Sequence, residues 1–112
     1  MSATSTQDVR QMIQKMVDKL VAEYQPEKII LFGSYAHGDP DSGSDVDLLI
    51  IKDTPDRFID RWSTVQRILS DRKRKIGVDT IVVTPDELSR SIAKGDPFAN
   101  QVLTKGRVLH EA

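Results

Sequence analysis

Three aspartates and one glycine-serine pair are the residues here whose types and spacing could support chemistry. Gly33 and Ser34 follow the apolar stretch KIILF, and after ten further residues Asp45 and Asp47 begin the stretch DVDLLII. Residues i and i+2 of a strand point to the same face, so both carboxylates would leave the sheet on one side, with Cα atoms roughly 6.5 Å apart. This separation suits a pair of divalent ions. Asp45 alone could also be a solvated turn residue.

A third carboxylate, Asp79, lies in the next apolar segment, KIGVDTIVV, on the face shared by Ile81 and Val83. If a crossover helix joins this segment to DVDLLII, the two strands can be neighbours, and Asp79 then lies beside the first pair. Three carboxylates with no histidine or cysteine nearby favour hard ions such as Mg²⁺ or Mn²⁺. The alternative is that Asp79 is an acid of an edge strand in contact with water.

The pair Gly33-Ser34 suggests a phosphate site. A strand that ends in glycine, followed by a serine that opens a short helical turn, presents backbone N–H groups and a hydroxyl to an anion. Phosphate on one side and metal ions on the other is the arrangement for phosphoryl or nucleotidyl transfer. Ser34 could also be only a helix cap.

Other phosphate and metal motifs do not fit this stretch. A P-loop needs Lys-Ser or Lys-Thr after its last glycine, and neither Gly38 nor Gly43 is followed by one. The glycines also lack the spacing of the dinucleotide fingerprint. An EF-hand that begins at Asp39 would have Ile50 where a bidentate glutamate is required.

The segments that must position these residues alternate between helix and strand. Apolar residues at i, i+3, i+4 and i+7 predict a helix over Gln7–Tyr24, capped by Ser5 or Thr6 and ended by Pro26. Short β-branched stretches predict strands over Lys28–Phe32, Asp45–Ile51 and Lys75–Val83, with RVLHE as a closing strand.

Three later helices are predicted from a capping residue followed by proline, at Thr54-Pro55, Thr84-Pro85 and Asp96-Pro97. Glu87 would complete a capping box with Thr84. The last helix would end near Gly106. The predicted core face of the first of these helices consists of Phe58, Ile59, Trp62, Val65, Ile68 and Leu69, and the last helix would contribute Phe98, Val102 and Leu103.

These elements predict an α+β fold, a small mixed sheet of three to four strands covered by helices, as one domain over residues 1–112. Net charge is -1, which argues against nucleic acid as a direct ligand. The chain has no cysteine, which excludes disulfides and thiolate metal sites, and it has no apolar stretch long enough to span a membrane. We therefore expect a cytoplasmic protein. The basic run DRKRK suits a solvated helix end, or contact with phosphates or an acidic partner.

The motifs together resemble the signature of the DNA polymerase β-like nucleotidyltransferase superfamily. That signature consists of an apolar residue, Gly-Ser, a spacer and Asp-x-Asp between apolar residues, with a third acid on a later strand. Here it reads Phe32-Gly33-Ser34, then SDVDLLI, then Asp79. Length and layout are most similar to the minimal nucleotidyltransferases, which are little more than a catalytic core. The likeness covers nearly the whole chain, including the final KGRVLHE.

The resemblance implies a nucleotidyltransferase fold with Asp45, Asp47 and Asp79 as ligands of a two-metal Mg²⁺ site, Mn²⁺ being a possible substitute. It implies that Asp79 also helps to activate the acceptor hydroxyl, that Gly33 and Ser34 hold the nucleotide phosphates, and that ATP is the substrate. Many minimal nucleotidyltransferases resemble antitoxins paired with a HEPN-type ribonuclease toxin, and some transfer AMP to a tyrosine of that toxin. A HEPN-type toxin is therefore the expected partner.

Two alternatives remain open at this point. The chain could neutralise its partner by covering it, without catalysis, or it could transfer a nucleotide to RNA or to a small alcohol. One departure from the family pattern concerns His37, which stands where the group often has arginine. If that position contacts phosphate or partner, His37 would do so more weakly and with pH dependence. The simpler interpretation is an exposed turn histidine.

Overall fold

The elements follow the order predicted from the sequence, with a short helix in the loop between the first two strands. The computed structural model describes residues 6–38 and 44–112. Within them the strands are β1 (Lys28–Phe32), β2 (Val46–Ile51), β3 (Val78–Val83) and β4 (Arg107–Glu111), and the helices are α1 (Thr6–Glu23), α2 (Ser34–His37), α3 (Phe58–Ile68), α4 (Pro85–Ala93) and α5 (Pro97–Lys105).

The four strands form a mixed sheet in the order β3-β2-β1-β4. β1 is antiparallel to β2 and to β4, and Phe32 of β1 is the partner of Asp47. β2 and β3 are parallel, and α3 forms the crossover that a parallel pair requires. The predicted α+β fold with a small mixed sheet and covering helices is confirmed.

The two faces of the sheet have different environments. The main core lies on the face covered by α1 and α3, where Leu48 and Ile50 of β2 pack with Leu20 of α1 and Val65 of α3. A smaller apolar cluster on the other face consists of Ile30, Leu49, Ile51 and Val102. Because side chains alternate along a strand, Asp47 shares this second face with Leu49 and Ile51.

Helix α1 shows the predicted amphipathic pattern. Its residues Ile13, Met16, Val17 and Leu20 are buried against the sheet. The predicted cap at Ser5 lies outside the described residues, and Thr6 is the first residue of the helix rather than its cap. None of the helices in the described part of the chain combines the length and the apolar character needed to cross a membrane.

Helices α4 and α5 begin where the sequence predicts. The hydroxyl of Thr84 accepts a bond from the Glu87 N–H at 3.1 Å while the Glu87 carboxylate accepts from the Thr84 N–H at 2.8 Å, so the capping box is present. The Asp96 carboxylate accepts from the Phe98 N–H at 3.0 Å, and α5 ends at Gly106. Phe98 and Leu103 were predicted in the core but are partly exposed.

The predictions for α3 are wrong at its start and for part of its core face. The helix begins at Phe58, because Thr54 instead closes a turn with the N–H of Asp56 at 3.1 Å. Phe58, Ile59 and Trp62 are 56%, 56% and 43% exposed, whereas Arg61 is buried with Val65 and Leu69. Arg61 faces inward because its guanidinium reaches the Glu87 carboxylate at 2.7 Å and the Asp56 carbonyl at 2.8 Å.

Candidate active site

Asp47 and Asp79 lie side by side on the face of the sheet that carries the smaller apolar cluster. They are direct partners in the parallel pairing of β2 and β3, so their side chains leave the sheet in the same direction. The predicted juxtaposition of these two residues is therefore present. Asp47 is half-buried, whereas Asp79 is exposed on the edge strand β3. An incoming molecule can reach Asp79 directly.

Asp45 lies immediately before β2, not within it as predicted. The N–H of Val46 donates to the carbonyl of Gly77 at 2.9 Å, which starts the pairing of the two parallel strands. A Cβ atom added to Gly77 would lie 2.7 Å from the Oδ1 atom of Asp45. The carboxylate of Asp45 thus packs against the backbone two residues ahead of Asp79.

The end of β1 closes the site from the other side. Gly33 has φ +76°, and a Cβ atom added to it would lie 2.2 Å from the Oδ2 atom of Asp47, so this position requires glycine. Ser34 begins α2, and the N–H groups of Ala36 and His37, the last two residues of this helix, donate to the Gly33 carbonyl at 3.1 and 3.2 Å. Gly33 holds the cap position, so the alternative that Ser34 caps the helix is wrong.

Tyr35 connects α2 to the start of the carboxylate segment. Its hydroxyl donates to the carbonyl of Ser44 at 3.4 Å, and its side chain packs against the main core. This contact holds together the two ends of the loop that separates Ser34 from Asp45. Asp39 and Asp41, the acids considered above as calcium ligands, lie outside the described residues.

Negative charge accumulates at Asp47. Burial raises the pKa of Asp47 above its ordinary value, and the neighbouring carboxylates of Asp79 and then Asp45 raise it further. Each of these causes acts against the ionised form. A bound cation would remove the repulsion among the three carboxylates.

The donor set fits a hard divalent cation. Within residues 6–38 and 44–112, no three histidine, aspartate or glutamate side chains converge closely enough to hold an ion as they stand. Asp45, Asp47 and Asp79 nevertheless supply only carboxylate oxygens, which Mg²⁺ and Mn²⁺ prefer. The unfavourable charge at Asp47 is a second observation in favour of a cation.

A cleft of about 100 Å³ adjoins Gly33 between the end of β1, α2 and α5. The rings of Phe32 and Phe98 meet edge to face in its wall, with centroids 5.4 Å apart. His37 and Lys105 line the same cleft and bring a titratable and a positively charged side chain next to Gly33. An anion at Gly33 would lie within reach of both.

Comparison with known proteins decides the family. A sequence model described as the nucleotidyltransferase domain matches residues 13–110. The chain belongs to this family. The matched range contains Gly33, Ser34 and all three carboxylates.

Two relatives of this nucleotidyltransferase domain come from Methanocaldococcus jannaschii, and both bear the name "Putative protein adenylyltransferase". One is 37% identical over 102 residues, which cover 88% of this chain and 63% of the relative. The other is 33% identical over 100 residues, which cover 88% of this chain and 94% of the relative. The chain thus spans less than two thirds of the first relative and nearly all of the second.

A solved structure shows the same fold. The crystal structure of a "putative nucleotidyltransferase" from Sulfolobus solfataricus superposes with a TM-score of 0.56 at 26% identity, over 71% of this chain and 70% of that one. The superposition supports the sheet and helix arrangement described above.

Two residues that adjoin the candidate site were not predicted from the sequence. Gly77 accommodates the carboxylate of Asp45, and Lys105 lines the cleft beside Gly33. A glycine directly ahead of a strand that carries a candidate ligand was an available signal for Gly77. No sequence signal was available for Lys105, because only the docking of α5 against β1 brings it to this end of the sheet.

Proposed function

We propose that the chain is a Mg²⁺-dependent adenylyltransferase that moves AMP from ATP to a hydroxyl group of a partner protein. The observation that carries the proposal is the juxtaposition of Asp47 with Asp79 across β2 and β3, with Gly33 packed against the carboxylate of Asp47. Family membership supports nucleotidyl transfer. The names of the two relatives support a protein as the acceptor.

The residues of the site divide between two tasks. Asp45, Asp47 and Asp79 would hold Mg²⁺, or Mn²⁺ in its place, which when bound would offset the charge of the triphosphate and of the transition state. Gly33 and Ser34 would contact the phosphates, because the backbone is accessible at a glycine.

The reaction exchanges one phosphorus–oxygen bond for another. The acceptor oxygen forms a bond to the α-phosphorus of ATP, and the bond from that phosphorus to the oxygen bridging to the β-phosphate breaks. Pyrophosphate leaves with the bonding electrons. The proton of the hydroxyl passes to the carboxylate of Asp79, which is the exposed member of the pair and so can meet an incoming group.

We infer that the acceptor is a tyrosine of a HEPN-type toxin, that the chain acts as its antitoxin, and that both act in the cytoplasm, where ATP is available. The edge position of Asp79 supports an acceptor presented by a separate macromolecule, because the site is open on that side. The low net charge supports a protein rather than RNA.

The test is incubation of the chain with Mg²⁺, ATP labelled at the α-phosphate, and in parallel a HEPN-type toxin, an RNA oligonucleotide and an aminoglycoside. We expect label on a tyrosine of the toxin and none on the other two acceptors. Label only on RNA or on the aminoglycoside would show that the acceptor is not a protein. Neutralisation of the toxin by an Asp47→Asn variant as well as by the wild-type chain would show steric blocking in place of catalysis.

A further inference from the structure

A groove of about 620 Å³ lies between α1 and the segment 68–76 that leads from α3 to β3. Its end at Ile76 adjoins Gly77, whose backbone contacts the carboxylate of Asp45. The α1 groove thus ends one residue along the chain from a glycine that contacts the candidate active site.

Both walls of the α1 groove carry positive charge. Lys15 and Lys19 line it from α1, one helical turn apart, and Lys73 and Lys75 line it from the opposite segment. Within residues 6–38 and 44–112, none of these four lysines takes part in an ion pair. Asp8 and Asp71 also line the groove, but five basic side chains outnumber these two acids, so the groove is positively charged although the chain as a whole has a net charge of -1.

The wall opposite α1 is held in shape by its own hydrogen bonds. The guanidinium of Arg74 donates to the carbonyls of Ile76, at 2.7 Å, and Leu69. The carboxylate of Asp71 accepts a hydrogen bond from the N–H of Lys73 at 2.9 Å. Arg74 and Asp71 are therefore occupied within the wall, and the lysines remain for a ligand.

The floor of the α1 groove is apolar and contains no aromatic side chain among its described lining residues. Met12, Met16, Ile68 and Ile76 contribute to it. Methionine adapts to irregular apolar surfaces, whereas single-stranded nucleic acid is usually bound by aromatic rings on which bases stack. Lysines around an apolar floor fit a polypeptide in which acidic residues alternate with apolar ones.

We propose that the α1 groove binds an acidic segment of the acceptor protein and so raises the affinity of the chain for that protein. The inference rests on the proposed function, because it specifies the chemistry of the acceptor. Charge complementarity would act mainly on encounter and on the affinity for the acceptor, and would weaken as salt is added.

The probe for this test is a fluorescent random copolymer of glutamate and tyrosine, which supplies acidic groups and hydroxyls together. Binding is measured by fluorescence polarisation without ATP, for the wild-type chain, for Lys15→Glu/Lys73→Glu with one change on each wall, and for the control Arg10→Glu/Lys94→Glu. Arg10 and Lys94 are exposed and lie outside the groove, and both variants change the net charge equally.

We expect the groove variant to lose at least tenfold in affinity and the control less than twofold. If Lys15→Glu/Lys73→Glu unfolds in thermal melts, the variant Lys15→Gln/Lys73→Gln takes its place. This second variant introduces no new charge, so its loss of affinity should be smaller. Equal affinities of groove and control variants would overturn the proposal. Equal binding of a lysine-tyrosine copolymer, tighter binding of a single-stranded RNA, or a change of oligomeric state in the groove variant would also overturn it.

Transfer measured with α-labelled ATP separates this proposal from the proposed function. In the groove variant we expect a raised KM for the glutamate-tyrosine copolymer with kcat retained. Transfer that is identical in groove and control variants would overturn the docking site and leave the adenylyltransferase intact. If the groove binds the copolymer selectively but no protein receives AMP, the docking proposal would stand and the proposed adenylyltransferase function would be overturned.

Discussion

The residue scale is dominated by the contact between Asp47 and Gly33. The carboxylate occupies the space that any larger side chain at position 33 would need, so the backbone of Gly33 and the carboxylate are in direct contact. Asp79 lies on the other side of Asp47 across the parallel pair. Three predictions follow from this packing and from the cleft beside it.

Asp47→Asn should abolish transfer without loss of stability. The substitution removes a half-buried negative charge that is repelled by Asp79 and Asp45, so the free energy of unfolding should stay unchanged or rise by up to about 1 kcal/mol. Transfer should fall at least about a hundredfold. Urea unfolding and a labelled-ATP assay measure the two effects, with the exposed Asp53→Asn as the control. A clear loss of stability in Asp47→Asn alone would indicate a structural role.

Gly33→Ala should destabilise the protein more than Gly38→Ala. Both glycines have φ +76°, but ψ is -156° at Gly33, outside the left-handed helical region, and 21° at Gly38, inside it, so alanine is more strained at Gly33. An added Cβ at Gly38 also meets nothing within 4 Å, whereas at Gly33 it meets Asp47. We expect a loss of about 1–3 kcal/mol at Gly33 beyond the loss at Gly38, from backbone strain and crowding together. Chemical denaturation of the two variants measures this difference, and equal losses would contradict it.

His37→Arg should lower the KM for ATP. His37 and Lys105 line the cleft beside Gly33, and arginine is always charged and binds phosphate oxygens in pairs. The expected decrease is about threefold to tenfold, with kcat little changed. Lys94→Arg is a matched control outside the cleft. An unchanged KM would show that residue 37 does not meet the phosphates.

At the scale of elements, local signals predicted most of the fold. Periodicity predicted the strands and α1, and capping residues predicted the starts of α4 and α5. Both signals act over a few neighbouring residues. The core face of α3 could be predicted only in part. Phe58, Ile59 and Trp62 form an apolar stripe as good as the buried residues Val65 and Leu69 do. Only the position of Glu87 in space determines that Arg61 faces inward.

The candidate site shows the same division between local and distant information. Asp45, Asp47, Gly33 and Ser34 were predicted from their spacing in sequence, and Asp79 from the crossover that makes its strand a neighbour. The α1 groove and the place of Lys105 depend on helices that meet only in the folded chain, so no short-range pattern predicted them.

Glu87→Gln should destabilise the α3–α4 connection in a pH-dependent way. Hydrogen bonds from Arg61, and then from Thr84, lower the pKa of Glu87, so its contribution is present above the ordinary value of about 4.3 and is lost as the pH falls through the lowered pKa. Because Glu87 is partly exposed, we expect a loss of only about 1 kcal/mol at pH 7. The loss should decrease progressively as the pH falls below the ordinary Glu value of about 4.3 in urea unfolding.

The control for this prediction is Asp86→Asn. Asp86 pairs with Arg90 on the exposed surface of the same helix, where an ion pair contributes little. Its effect should be within about 0.5 kcal/mol across the same pH range. A deficit of Glu87→Gln that does not decrease at all as the pH is lowered through the acid range would contradict the role of the Arg61 ion pair.

At the scale of the whole molecule, the sheet separates the structural core from the chemistry. The face under α1 and α3 supplies the main core, and the opposite face carries the carboxylates, with Asp79 at an open edge. The α1 groove lies on the side of α1, and its last lining residue, Ile76, precedes Gly77, which packs against the carboxylate of Asp45.

Whether the carboxylates of this chain catalyse AMP transfer is tested by comparing pyrophosphate release with AMP incorporation into a HEPN-type toxin. With Mg²⁺ and α-labelled ATP, the wild-type chain and Asp53→Asn should release one pyrophosphate for each AMP incorporated, and Asp45→Asn should do neither. Two results would contradict nucleotidyl transfer by the three carboxylates. One is incorporation of label from γ-labelled ATP, and the other is incorporation of AMP by Asp45→Asn that equals that of the wild-type chain.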